Sequence, residues 1–164
     1  MLAVISKHRF YPYLGRWLYW TILPFLSVYG RVAKRPRVRA VLVHKNQVLL
    51  VKNWLGAQNW TLPGGGMNWH ESEPQALQRE LYEELGLKTV PAPTHLDRLV
   101  LKSAPYAPFK VSVYHVVLQD SPPPLITIDT TELIAAQWFP VDKLPEKLVP
   151  EFKLMLQDIA PKTE

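Results

Sequence analysis

Gly65-Gly66-Met67-Asn68-Trp69-His70-Glu71-Ser72-Glu73-Pro74-Gln75-Ala76-Leu77-Gln78-Arg79-Glu80-Leu81-Tyr82-Glu83-Glu84-Leu85-Gly86-Leu87 is the stretch on which the reading turns. Ser72 stands ahead of Glu73 and Pro74 like a cap before an acidic first turn, and Gly86 supplies a stop, so a helix is predicted between them. About 13 residues fit between these signals. At about 100° per residue, Leu77, Leu81 and Leu85 line one stripe, and Glu73, Glu80, Glu83 and Glu84 crowd the adjoining arc. The leucines are expected to face a core while the carboxylates share one edge.

Glu80, Glu83 and Glu84 lie three and four residues apart, close enough to repel unless a cation sits among them. Hard oxygen donors in a cluster suit Mg²⁺ or Mn²⁺ rather than zinc. The fork of Arg79 can hold a carboxylate in orientation through two hydrogen bonds, a supporting role rather than a chemical one. Ahead of the helix, Trp60-Thr61-Leu62-Pro63-Gly64-Gly65-Gly66 reads as a short strand running into a glycine turn. Such a turn lets the backbone approach a metal or phosphate, and a carbonyl there, such as that of Gly64, can complete a coordination shell.

Gly65, Glu71 and the run Arg79-Glu80-Leu81-Tyr82-Glu83-Glu84-Leu85-Gly86-Leu87 together resemble the signature of the Nudix hydrolases, with every fixed position present. The resemblance implies an αβα sandwich around a mixed sheet, and attack of water on a phosphorus of a nucleoside diphosphate linked to another group. It also implies Glu83 and Glu84 as metal ligands, Glu80 as ligand or water-activating base, and Glu71 as a further ligand. Phosphoryl transfer demands charge neutralisation and positioning more than covalent help, which agrees with such a set. Two positions depart from the usual pattern. Many relatives carry glycine directly before the first signature glutamate and an acid three residues before it, where this chain has His70 and Asn68, so the loop 66–70 is expected to take a different path.

A chain of 164 residues is expected to form one domain with a substantial core. It has no cysteine, which excludes disulfides and thiolate metal sites and is compatible with a reducing cytoplasm. Charge is uneven. The first 40 residues hold eight basic residues (Lys7, Arg9, Arg16, Arg31, Lys34, Arg35, Arg37, Arg39) and no acid, leaving 11 of the 19 basic residues to face all 14 acids. The division expected is therefore 1–36, a basic and aromatic helical segment, and 37–164, the Nudix hydrolase domain. Within the first part, residues 11–32 are aromatic and apolar, but the charge-free run of about 13 residues falls short of the roughly 20 a spanning helix needs. That segment is read as a helix packed on the domain or on a second subunit of a homodimer, as a peripheral membrane contact with basic flanks, or as a substrate contact.

From Arg37 the pattern alternates, Val38, Ala40 and Leu42 against Arg39, Val41 and Val43, then turns at Lys45-Asn46-Gln47 and continues through 48–51, a predicted hairpin. Further strands are expected at 95–103, 110–118 and 135–140, and a closing helix at 145–159. Outside the signature, Glu132 is a candidate for an additional ligand or base, with Asp129 behind it. Arg39, Lys52, Trp54, Tyr106 and His70 are candidate substrate contacts, and Phe109 shares the aromatic loop of Tyr106. His115, alternating with Val111, Val113 and Val117, is expected to be a satisfied core histidine.

The expected function is a cytoplasmic, metal-dependent pyrophosphohydrolase acting on a small-molecule nucleotide diphosphate, with Glu80, Glu83, Arg79 and Glu132 as catalytic candidates. Nucleic acid is the partner class the reading favours least. Two rivals stand beside it: a nucleotide-binding regulatory module of the same fold without hydrolysis, and a membrane-associated enzyme with a lipid-linked substrate.

Overall fold

Strands β2 (Arg37–His44) and β3 (Gln47–Asn53) form the antiparallel hairpin the alternation predicts, pairing Val43 with Val48 and His44 with Gln47. The computed structural model describes residues 4–5, 36–54, 59–102, 109–119, 126–128 and 132–159. Around the hairpin lie β1 (Val4–Ile5), β4 (Thr94–Leu101), β5 (Phe109–Val117) and β6 (Leu133–Pro140), in the order β1-β6-β3-β2-β5-β4. The sheet is mixed: β2 and β5 run parallel, while the other neighbours are antiparallel. The strands at 95–103, 110–118 and 135–140 thus appear within one or two residues of expectation.

Helix α1 (Glu73–Leu85) covers one face of this sheet and α2 (Pro150–Ile159) the other, which makes the αβα sandwich. On the first face Val38, Ala40 and Leu42 meet Leu77, Leu81 and Leu85 of α1. On the second, Val41, Val43 and Leu50 meet Phe152 and Leu156 of α2. Each of these buried valine, leucine and phenylalanine side chains is worth about 1.5–3 kcal/mol of transfer free energy. Both faces of β2 are therefore buried, so the alternation marks two cores and not a core and a solvent side.

Both ends of α1 follow from local chemistry. The Ser72 backbone N–H donates to Gln75 Oε1 at 2.9 Å, and Pro74 sits in the first turn, where its missing N–H costs nothing. At the other end Gly86 takes φ 71°, and its N–H returns to the Tyr82 carbonyl at 2.9 Å. The Thr127 N–H then caps the Leu85 carbonyl at 3.0 Å.

Three expectations differ from the structure. Residues 60–62 do not form a strand of the sheet but touch it through isolated bridges, Trp60 with Leu148 and Thr61 with Val51. Helix α2 starts at Pro150 rather than 145, because Pro145 and Pro150 restrict the residues before each of them. In the segment 1–36, expected to be helical, Val4–Ile5 instead pairs as an edge strand with Ala136 and Ala135 of β6. Residues 11–32, Tyr106 and Asp129 lie outside the described residues. No helix among those described is long and apolar enough to cross a membrane.

Candidate functional site

The glycine turn is stitched along the start of β2. The Val38 N–H donates to the Gly65 carbonyl at 3.0 Å, the Ala40 N–H to the Pro63 carbonyl at 2.9 Å, and the Met67 N–H to the Pro36 carbonyl at 3.1 Å. Two of the three glycines are required sterically. Gly64 has φ 122°, and a Cβ there would collide with the Val38 carbonyl oxygen. At Gly65 a Cβ would stand 2.6 Å from the carboxyl carbon of Glu80. Gly66 has open space instead. The turn is thus shaped to let the carboxylates of α1 press onto backbone.

Glu84 and Glu80 do so. Glu84 is 2% exposed and accepts the Gly64 N–H on Oε2 at 2.7 Å. Burial pushes its carboxyl up to about 7, with Glu80 and Glu132 adding negative charge and Arg39 and the Gly64 N–H working the other way. Glu80, 8% exposed, is also raised by burial, against the pull of Arg79. Glu132, on the turn before β6, is brought within electrostatic range of Glu84 although it lies 48 residues further along the chain.

Arg79 is the hub of the other carboxylates. Its Nε and Nη2 donate to Glu71 Oε1 and Oε2 at 2.9 and 3.0 Å, its Nη1 to Glu80 Oε1 at 2.9 Å and Glu83 Oε2 at 2.8 Å, and its Nη2 to the Gly66 carbonyl at 2.9 Å. All five N–H donors of the guanidinium are engaged. These bonds hold the Arg79 proton more tightly than usual, and they keep Glu71 below the usual carboxylate range together with the Asn68 N–H, which donates to Glu71 Oε2 at 2.9 Å. Among the described residues no three acidic or imidazole groups converge on one point. The cation that Glu71, Glu80 and Glu83 share is Arg79.

The wheel grouped Glu73 with this cluster, and the structure removes it. Its carboxylate turns to β5, accepting from Tyr114 Oη at 2.5 Å and Ser112 Oγ at 2.9 Å. His70 takes φ 65°, in the left-handed region that glycine favours, although a histidine occupies the position.

The remaining candidates are dispersed. Arg39 is buried beneath the turn, where Nη1 donates to the Leu62 carbonyl at 3.1 Å and to the Gly64 carbonyl; burial works against its charge, and Glu84 and Glu80 offset that. It supports the turn from behind rather than lining a surface. Lys52 Nζ lies 4.5 Å from the Trp60 ring centroid, with its pKa lowered by burial and by Lys147. The Trp54 N–H donates to the Glu132 carbonyl at 3.0 Å. His115 differs from a satisfied core histidine: among the described residues its Nε2 is buried without a hydrogen-bond partner. The place of Arg39 beneath the turn and the bonds of Glu73 to β5 are roles the sequence pattern does not disclose, because each depends on a partner far along the chain.

A mixed sheet between two helices, with a glutamate-bearing helix docked on a glycine turn, is the architecture of the NUDIX domain. The NUDIX domain family matches residues 33–159, and the chain belongs to it. The RNA pyrophosphohydrolase of Psychromonas ingrahamii is 35% identical over 91 residues, 56% of this chain and 47% of that protein. The RNA pyrophosphohydrolase of Cellvibrio japonicus is 48% identical over 54 residues, 32% of this chain and 32% of that protein. The similarity thus spans less than half of either relative. The crystal structure of a MutT NUDIX hydrolase from Burkholderia pseudomallei superposes with a TM-score of 0.67 at 26% identity, covering 76% of this chain and 97% of that one. A C. elegans Ap4A hydrolase shares the fold, with a TM-score of 0.64 at 20% identity over 77% of this chain and 96% of that one.

Proposed function

We propose that this chain is a metal-dependent pyrophosphohydrolase that opens the diphosphate linkage of a nucleotide or nucleoside diphosphate derivative by attack of water on phosphorus. The observation that carries the reading is the seating of the Glu80 and Glu84 carboxylates on the Gly64–Gly65 backbone, with Glu71 and Glu83 gathered beside them by Arg79. The donor set is all oxygen and fits a hard divalent cation. Two of its members are buried carboxylates raised by desolvation, which is the condition of a site short of positive charge. Glu80, Glu83, Glu84, Glu71 and the Gly64 carbonyl would hold Mg²⁺ or Mn²⁺. When bound, the ion supplies charge neutralisation for the diphosphate oxygens and lowers the pKa of water.

The chain's own groups account for the rest. Arg79 orients Glu71, Glu80 and Glu83 at once, so the three do not have to be ordered separately. Water adds to phosphorus as the P–O bond to the leaving phosphate opens, and where Glu80 is not a ligand of the ion its carboxylate, raised by burial, takes the water's proton. Glu132, within electrostatic range of Glu84, is the second candidate for that proton. In this reading residues 37–164 are the catalytic unit, working in the cytoplasm.

A second reading concerns the substrate. The similarity to RNA pyrophosphohydrolases supports RNA as the substrate class, the partner class that the sequence reading favoured least. The test is phosphate and pyrophosphate release from a panel of nucleoside triphosphates, nucleoside diphosphate derivatives and 5′-triphosphorylated RNA, with Mg²⁺ or Mn²⁺. Glu83→Gln is run beside the wild type. Metal-dependent cleavage lost in the variant supports the reading and names the substrate. Wild-type turnover by Glu83→Gln at matched metal concentration would sink it.

A further inference from the structure

We infer that Glu73 is a positioning residue: its grip on the Tyr114 and Ser112 hydroxyls fixes the rotation of α1 about its own axis, and through that rotation seats Glu80 and Glu84 on the glycine turn. The inference rests on the function proposed above. Glu73, Glu80 and Glu84 lie at positions i, i+7 and i+11, which at 100° per residue fall within about 20° of a single line along the helix. The line has two kinds of anchor. At its C-terminal end Glu84 meets the Gly64 N–H at 2.7 Å and Glu80 packs against Gly65. At its N-terminal end, about 10 Å from Glu80 along the axis, both oxygens of Glu73 are held by β5, Oε2 by Tyr114 at 2.5 Å and Oε1 by Ser112 at 2.9 Å. Arg98 of β4 adds an exposed contact to Oε1 at 3.4 Å.

Between these anchors α1 meets the sheet through Ala76, Leu77 and Leu81, apolar contacts that bury area without strong directional preference. Directionality has to come from the hydrogen bonds. A rotation of 20° carries a carboxylate at the helix rim, about 5–6 Å from the axis, by about 2 Å. Misplacement by about 1 Å is enough to cost about 100-fold in a positioned reaction. Glu73 is also the first residue of the helix, directly after the loop that carries Glu71, so the same grip fixes where that loop ends.

The test uses the full chain with Ser112→Ala and Tyr114→Phe combined, Tyr114→Phe alone, and Glu73→Gln, which keeps an acceptor oxygen for Tyr114. Mn²⁺ is titrated into metal-free protein and free Mn²⁺ is read by electron paramagnetic resonance; kcat and KM are measured in parallel. The double variant is expected to bind Mn²⁺ about tenfold more weakly and to lose about tenfold in kcat with KM unchanged, while Glu73→Gln stays within about threefold of wild type in both. Should the double variant not fold, Tyr114→Phe is judged on the same readouts, with about a threefold loss expected. A folded variant with wild-type Mn²⁺ affinity and kcat overturns the tether, whatever its melting temperature, and leaves the function standing. A wild type that neither binds Mn²⁺ nor hydrolyses any substrate overturns the function, and the tether with it.

Discussion

At the scale of single residues the site is decided by atoms that are missing as much as by those present. Gly65 needs no unusual backbone angle; what it needs is the absence of a Cβ, since that atom would stand 2.6 Å from the carboxyl carbon of Glu80. Gly65→Ala is therefore expected to displace Glu80 and reduce kcat by about 100-fold while the fold, read by circular dichroism, is retained. His70 is the opposite case. Its φ of 65° costs a side chain about 1 kcal/mol that glycine avoids, although glycine loses part of the gain by loosening the unfolded chain. His70→Gly should raise stability by about 0.5 kcal/mol in urea titration, and a loss of stability would mean that the imidazole makes a contact worth more than the strain. Glu80, Glu83 and Glu84 were legible on one edge because helical period and oxygen chemistry meet in the same 13-residue helix, whereas Glu73, read with them, turns to Ser112 and Tyr114 of β5, partners no local pattern discloses. Arg39 was not legible, because alternation marks which face it shares with Val41 and Val43 but not that the carbonyls of Leu62 and Gly64, 23 and 25 residues on, close over its guanidinium.

At the scale of elements α1 is the part whose limits the sequence states outright, and Gly86 is where that can be checked. A Cβ at Gly86 would lie 3.4 Å from Thr127 Cβ, an ordinary contact, so the cost of Gly86→Ala is conformational rather than steric. The expected loss is about 1 kcal/mol, seen as a lower urea midpoint with unchanged slope, with kcat little altered because Glu84 and its Gly64 contact precede the strained residue. A loss of several kcal/mol would mean that the Thr127 N–H bond to Leu85 fails as well. The hairpin was equally legible, since its turn and both alternating runs are contiguous. The segment 60–62 was misread as a strand because its apolar residues pack beneath the sheet: Leu62 is fully buried among Val41, Leu50 and Phe152 while its backbone runs to the glycine turn. Val4–Ile5 is two residues long, too short to carry any period, so its place beside β6 could not be read from pattern at all.

At the scale of the whole molecule, the site is a source of instability that the fold tolerates. The folded state raises the Glu84 carboxyl from 4.5 to about 7, chiefly by burial, so the folded protein holds that proton more tightly than the unfolded chain does. The sign follows by linkage: this contribution is fully present below about pH 4.5, is lost as pH rises to about 7, and is constant above that. Its size is about 3 kcal/mol. Glu71 and Glu73, whose carboxyls are held low, run in the opposite sense, so the contribution is isolated by comparing wild type with Glu84→Gln rather than from either alone. In metal-free protein the stability of wild type relative to Glu84→Gln should fall by about 3 kcal/mol between pH 4.5 and 7.5, as read by urea unfolding. Mg²⁺ competes with the proton for the same carboxylate, so it should raise the melting temperature of the wild type more at pH 8 than at pH 5, and should do little for Glu84→Gln at either. A flat difference between the two proteins across that pH range would mean that Glu84 is charged throughout, with Arg39 and the Gly64 N–H outweighing its burial.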